Sequence, residues 1–175
     1  MLLGAVFLVG GAAALTRFTR SPTADPARAP AFSADQFALL EQVCDIIIPP
    51  TDTPGAIAAG VPVFIRDLLA NWGSAQSRAD IAGVLEAIEQ RTWAEHGSGF
   101  LELPGTLRLE LMRAHDAHCV TGHDPAYRKF KHMVLLGYYH SEIGATQELR
   151  FELVPGAWRS CLPLNEVGRA SAFWN

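Results

Sequence analysis

The chain has 175 residues, 49% of them hydrophobic, which is enough to bury one core and favours one domain. Charged residues make up only 18%, and the net charge is −4; without residues 1–29 the remainder holds eleven basic and seventeen acidic side chains, a net charge of −6. No basic stripe is left to hold nucleic acid, so that class is excluded. The sparse charge predicts surface patches that a partner covers.

Residues 1–15 are almost wholly apolar or small, with Leu2, Leu3, Val6, Phe7, Leu8 and Val9 leading into Gly10-Gly11-Ala12-Ala13-Ala14. The run is short for roughly 30 Å of hydrocarbon but suits the apolar region of a signal peptide. Ala12-Ala13-Ala14 and Ala27-Arg28-Ala29 offer small-x-small cleavage sites. No basic residue precedes the run, and Arg17 and Arg20 follow it. Three readings stay open: an exported chain whose basic leader lies upstream, an uncleaved anchor, or an ordinary buried helix. The division expected is therefore 1–29 as a signal-like segment and start of linker, and 30–175 as the helical domain.

Residues 16–32 lack periodicity and read as linker. Ser33 and Gln36 then form a capping box, and Phe37, Leu40, Val43, Cys44, Ile47 and Ile48 follow at helical spacing until Pro49-Pro50 stops them. Thr51 to Gly60 is a turn-rich loop. Val61, Phe64, Ile65, Leu68, Leu69 and Trp72 mark a second helix, with Pro62 in its first turn. Ser77 predicts the start of a third, with Ile81, Val84, Leu85, Ile88 and Trp93 on its buried face and Gly97 beyond its end. Pro104 opens a fourth, carrying Leu107, Leu111 and Ala114, and Gly122 closes it. Asp124-Pro125 caps a fifth that runs through Tyr127, Phe130, Met133, Val134 and Gly137 to Tyr138. From Gly144 on, Pro and Gly recur too often for a long helix, and the weak alternation from Leu149 to Val154 fits a short edge strand or an extended arm. The fold class predicted is mainly α: one small domain of about five helices with an irregular C-terminal tail.

Each chemical candidate has a plain structural alternative. His115, His118 and Cys119 share a helix face and His123 follows, a plausible zinc set of imidazole and thiolate, but also an ordinary polar face ending at a turn. The three cysteines leave two readings open, one internal pair with one thiol left over or a bridge to another subunit; Cys44 and Cys119 fit buried free thiols, and Cys161, in a Pro-bounded loop, is the candidate reactive or disulfide-bridging one. No Cys-x-x-Cys-His, Gly-x-Gly-x-x-Gly after a strand, or Gly-x-Ser-x-Gly occurs, so no covalent c-type haem, Rossmann-held cofactor or serine-hydrolase elbow is expected. His140, Ser141 and Glu142 are adjacent, and adjacent helical residues point roughly 100° apart, so they do not converge as a triad. A hydrogen-bonded anchor for the turn at Gly144 is the simpler use. Asp52 among Pro and Thr fixes a turn more readily than it acts as a lone base. The four tryptophans are core by default, with Trp158 and Trp174 as alternative interface anchors.

Two stretches stand out: Ile48-Pro49-Pro50-Thr51-Asp52-Thr53-Pro54-Gly55-Ala56 with Gly60-Val61-Pro62, and Gly137-Tyr138-Tyr139 with Ser141-Glu142-Ile143-Gly144-Ala145-Thr146. Together they resemble the gluconate 2-dehydrogenase subunit 3 family, over roughly residues 33–170 and through Pro155-Gly156. The resemblance implies a non-catalytic small subunit of a membrane-associated sugar or sugar-acid dehydrogenase. It implies a large partner subunit of the glucose–methanol–choline type that holds FAD, and in some complexes a third, cytochrome c subunit with haem c. It also implies a periplasmic, inner-membrane-associated complex, attached through its other subunits or through an uncleaved N-terminus. Export by the twin-arginine route, with the small subunit escorting the folded flavoprotein, belongs to the same expectation, although no Arg-Arg pair precedes the apolar run in this sequence. The family supplies no catalytic, cofactor-binding or metal residues to carry over. The surface expected to meet or shape the partner is Pro50, Thr51, Asp52, Thr53 and Pro54 with Tyr138, Tyr139, Ser141, Glu142, Thr146 and Trp158. The rival expectation is a small exported metal- or redox-binding protein using His115, His118, Cys119 and His123.

Overall fold

The computed structural model describes residues 31–152, Gly156, Cys161 and residues 163–170. The signal-like segment, Trp158 and Trp174 lie outside the described residues. The mainly α expectation is met: helices α1 (Ala34–Ile47), α2 (Val61–Asn71), α3 (Ala75–His96), α4 (Gly105–Thr121) and α5 (Pro125–Tyr139) form the frame, and a single turn, α6 (Leu164–Val167), follows in the tail. A 3₁₀ turn at Phe100–Glu102 links α3 to α4, and a π-helical turn at Gly144–Glu148 follows α5. No strand occurs among the described residues. Arg150 gives one backbone bond to the Ala170 carbonyl (2.8 Å), and Phe151 and Glu152 continue as an irregular arm. No helix of the described residues is long and apolar enough to cross a membrane.

The helix starts follow from their caps. At α1 the Ser33 hydroxyl accepts from the Gln36 N–H (3.1 Å) while the Gln36 side chain accepts from the Ser33 N–H (3.0 Å), so two orphan donors are satisfied reciprocally. At α5 one carboxylate oxygen of Asp124 accepts from both Ala126 and Tyr127 N–H groups (2.8 and 3.1 Å), and Pro125 occupies the position whose missing N–H is harmless. The third helix corrects the expectation at Ser77. Its cap is Ser74, whose hydroxyl accepts from the Ser77 N–H at 3.0 Å, so the helix begins a turn earlier. The helix interior after Ser77 carries the clear apolar rhythm and Ala75 and Gln76 ahead of it do not, so the sequence pattern alone points to a start three residues late.

α4 ends where expected, at Thr121 with Gly122 as its cap, and the chain turns at the next residue. His123, not Gly122, takes the left-handed conformation (φ 54°), which lets the Asp124 N–H reach back to the Cys119 carbonyl (2.9 Å). A left-handed non-glycine residue costs roughly 1–2 kcal/mol, a penalty histidine bears better than branched residues.

Helices α1, α3, α4 and α5 each pack against three others. α5 lies against α2, α3 and α4, and α1 against the same three. Leu40 and Val43 of α1, Ile65 of α2, Leu85 and Ile88 of α3, Met112 of α4, and Phe130 and Val134 of α5 meet in one core that also takes Phe100 from the 3₁₀ turn. Two tryptophans depart from the core reading: Trp72 is 84% exposed and Trp93 55%. Trp72 is the residue after the last turn of α2, and Trp93 sits near the C-terminal end of α3, whose buried side in its last turns is supplied by Ile88 and Thr92 instead.

Because Asp124 satisfies two amide donors at the head of the central helix, Asp124→Ala should lower unfolding stability by about 1 kcal/mol. Asp124→Asn, which keeps the accepting oxygen, should retain most of it. Urea unfolding of both variants checks the pair; equal losses would assign the effect to charge instead of capping.

Candidate partner-binding surface

The loop after α1 is shaped by its own backbone. The Ile48 carbonyl accepts from the Ala56 N–H (2.9 Å), and the Ala56 carbonyl accepts from the Val61 N–H (3.0 Å). This folds residues 49–55 into a closed excursion between α1 and α2. Gly55 sits where a Cβ would stand 2.6 Å from both the Ile48 carbonyl oxygen and the Pro50 nitrogen, a separation only glycine permits. At the rim, the Thr51 N–H donates to the Thr53 carbonyl (3.0 Å) and the Thr51 hydroxyl to the Asp52 carboxylate (3.0 Å). Asp52 thus lies in an exposed turn. Pro50 and Thr51 are exposed beside it, and Thr53 and Pro54 are half-buried.

The second motif begins where α5 stops. Ser141 binds the Tyr138 carbonyl twice, through its N–H (3.0 Å) and its hydroxyl (2.6 Å), and the Ser141 hydroxyl in turn accepts from the Gly144 N–H (3.0 Å). Gly144 then passes so close to that carbonyl that a Cβ would fall 2.0 Å from its oxygen. The wide π-helical turn closes with the Leu149 N–H on the Gly144 carbonyl (2.9 Å). Glu142 and Thr146 face outward, and the Thr146 hydroxyl donates to the Glu142 carbonyl (2.7 Å).

The two motifs, some 85 residues apart in sequence, meet in space. The Tyr138 hydroxyl donates to the Pro54 carbonyl (2.8 Å), and the Thr53 hydroxyl donates to the Glu148 carboxylate (2.9 Å). Tyr138 itself is 2% exposed, so it supports this surface from beneath, while Tyr139 stacks edge-on against it at 5.4 Å and is half-buried. Among the expected contact residues, Pro50, Thr51, Asp52, Glu142 and Thr146 are the exposed ones. Sequence reading missed Glu148, whose role depends on a partner 95 positions away. It also missed Ile57, 45% exposed on the same loop. Trp158 lies outside the described residues.

The His115, His118, Cys119 and His123 group resolves differently. His115 Nε2 and Cys119 Sγ are 3.4 Å apart and buried, and both border a pocket of about 450 Å³ that His118, Arg91 and Asp124 also line. His123 serves the left-handed turn described above. Among the described residues no three His, Cys, Asp or Glu side chains are placed to hold a metal ion. Burial, then the Arg91 and His118 charges, hold the His115 imidazole below its ordinary value. Burial, then Asp124 and Asp116, push the Cys119 thiol up. Both shifts favour the neutral forms, so the pair is thiol and imidazole, not the thiolate–imidazolium of a reactive cysteine. Cys44 is more inert still, its thiol pushed up to about 12 by burial in the core. Cys161 is exposed, and all three thiols are free.

The family model described as gluconate 2-dehydrogenase subunit 3 matches residues 34–156, a span that contains both motifs and all five long helices. The chain belongs to that family. The match ends at 156, short of the 33–170 that the motifs suggest, so the tail carrying Cys161 and α6 lies beyond it. No curated protein and no solved structure matches the chain. For a gluconate 2-dehydrogenase subunit 3 protein, the geometry has a plain reading: two loops locked to each other, with their polar and apolar tips exposed.

Two outcomes follow from this geometry. Gly144→Ala should displace the π-helical turn and lower stability by about 1–3 kcal/mol or more, since the new methyl meets backbone. Tyr138→Phe should cost only about 1 kcal/mol, the price of one hydrogen bond. Thermal unfolding ranks them; a Tyr138→Phe loss as large as that of Gly144→Ala would contradict the assignment. The His115 shift gives a pH signature. Its folded value is lower than the unfolded one, so its contribution is complete above about pH 6.5 and is lost as pH falls below that. Asp116 is also held low: burial raises its carboxyl, but hydrogen bonds from Lys131 and Tyr127 outweigh it. That contribution disappears only below the ordinary carboxylate range, so the windows are separate. Urea unfolding from about pH 7 to about pH 5 should show declining stability in the native chain and a flatter profile in His115→Gln.

Proposed function

We propose that this chain is a non-catalytic small subunit that binds and stabilises an FAD-dependent, glucose–methanol–choline-type dehydrogenase subunit acting on sugars or sugar acids, and assists its export. The observation that carries the proposal is the joining of the two family motifs into one surface through Tyr138–Pro54 and Thr53–Glu148. A surface so heavily cross-braced, with the Ser141 hydroxyl committed to the turn, is suited to recognition. Low overall charge and the exposed Ile57, on the same loop as the exposed Pro50 and Thr51, support the same reading. The FAD belongs to the partner in this proposal: a dinucleotide held by a glycine-rich turn needs a strand before it, and no strand occurs among the described residues. A cytochrome c subunit carrying haem c would take the electrons onward. The place of action proposed is the periplasmic side of the inner membrane, reached by the twin-arginine route.

Co-purification tests the proposal. The full chain, tagged at its C-terminus and expressed with its neighbouring genes, should bring down a large partner from periplasmic and membrane fractions, with the visible absorption bands of a flavin. Ile57→Asp combined with Thr51→Arg should abolish the pull-down while leaving the helical circular dichroism unchanged, and Trp93→Ala, outside both motifs, should leave it intact. A colourless chain recovered alone would refute the proposal. About one zinc or iron per chain would favour the metal-binding alternative built on His115 and Cys119.

A further inference from the structure

A second concavity is bordered by Pro49 of the first motif but includes none of the residues that join the two motifs. The last turn of α1, one face of α4 and the first turns of α5 enclose a groove of about 620 Å³. Its walls include the apolar side chains Ile46, Ile47, Leu109 and Met112. Its charges are Arg108, Arg113 and Lys131 against Asp45 and Asp116. Lys131 is already committed, with its ammonium 2.6 Å from the Asp116 carboxylate and 5.9 Å from the centre of the Tyr127 ring. Arg108 is not. Its Nη1 donates to the neutral side-chain oxygen of Gln42, and its Nε is buried without a hydrogen-bond partner among the described residues. No carboxylate among the described residues pairs with it.

A guanidinium presents a planar fork that matches the two oxygens of a carboxylate. A sheltered guanidinium with an orphaned N–H and only a neutral partner is poorly satisfied, and buried donors are rarely left so. Arg113 on the same helix adds a second positive charge to the groove. The volume lies in the range of small-ligand sites, which combine apolar walls with a few orienting polar groups.

We propose that this groove binds an aliphatic carboxylate, with its stem on the Ile46, Ile47 and Met112 wall and its carboxylate on the Arg108 fork. Binding turns the Arg108 side chain so that its Nε, covered in this structure, faces the groove, and exchanges the single Gln42 contact for a bidentate one through Nε and a terminal nitrogen, with Arg113 adding long-range attraction. The carboxylate belongs either to a free small acid or to an acidic side chain of another protein. The inference rests on this groove alone and is independent of the accessory-subunit proposal.

The test uses the full chain and follows the Arg108 Nε–H resonance by ¹⁵N NMR near neutral pH and at fixed ionic strength. Sodium hexanoate, hexan-1-ol and the peptide N-acetyl-Leu-Glu-Leu-amide are titrated separately. A saturable hexanoate shift absent with hexan-1-ol supports the proposal with a free acid as the source. A shift produced by the peptide and not by hexanoate supports it with a protein side chain as the source. Arg108→Gln should weaken whichever ligand binds by at least about tenfold, the loss expected of a charge-assisted hydrogen bond. Arg108→Lys, which keeps the charge and removes the fork, should weaken it too, and it serves if the glutamine variant does not fold. No movement of the Nε–H resonance with either acid overturns the proposal. So does an equal response to hexan-1-ol, or unchanged affinity in the folded Arg108 variant.

Discussion

The second motif, and its junction with the first, depends on how closely the backbone approaches the Tyr138 carbonyl. Ser141 spends both its N–H and its hydroxyl on that oxygen, and Gly144 can pass beside it only because it has no side chain. This arrangement ends α5, turns the chain into the π-helical segment, and so delivers Glu148 to Thr53. The same residue's ring runs the other way, through its hydroxyl to Pro54. One tyrosine therefore ties the end of the central helix to two loops. Loss of a hydrogen bond weakens such a link by about 1 kcal/mol, whereas a methyl forced against backbone removes the geometry itself. Steric exclusion is the stronger constraint, and the polar bonds set direction within it.

The frame beneath that surface is apolar. Leu40, Ile65, Leu85, Ile88, Phe130 and Val134 are essentially inaccessible to solvent, and burying each such side chain contributes roughly 1.5–3 kcal/mol. The ion pairs do little by comparison. Lys129–Asp80 (3.1 Å) and Arg91–Glu95 (2.7 Å) are partly exposed, and pairs of that kind contribute about 0–1 kcal/mol. Their placement still has a use. Lys129 joins α5 to α3 near Ser77 and Asp80, so it helps set the rotation of the central helix whose end carries Tyr138.

The sequence made the helices legible because their signals are local. Ser33 with Gln36, and Asp124 with Pro125, state a helix start within four residues, and the structure uses both. Ser74 gives a weaker signal because the apolar rhythm begins later, and a cap is read from the rhythm it precedes. Trp72 and Trp93 were placed in the core by type, yet the positions they occupy at helix ends face solvent. The two loops stood out in composition, since Pro, Gly and Thr crowd them. Their mutual contact did not, because no local pattern of spacing or capping signals that Thr53 will find Glu148 95 residues later. Arg108 was invisible for the same reason: in sequence it is one more charged position on a helix, and only packing against Gln42 leaves its Nε without a partner.

The difference between the motif surface and the His115–Cys119 pocket is one of preparation. Reactive thiols need a thiolate, and the surroundings of Cys119 work against one, by burial first and then by the acids Asp124 and Asp116. His115, held neutral by the same burial, cannot supply the compensating charge. The motif surface has the opposite character: its supporting residues are hydrogen-bonded and sterically fixed, while Pro50, Thr51, Asp52, Ile57, Glu142 and Thr146 stand out into solvent. Association is weakened by every side chain and loop that must be ordered on contact. Loops already closed by Gly55 and Gly144, and joined through Tyr138, avoid much of that ordering. Such preordering is what the recognition role proposed for this surface requires.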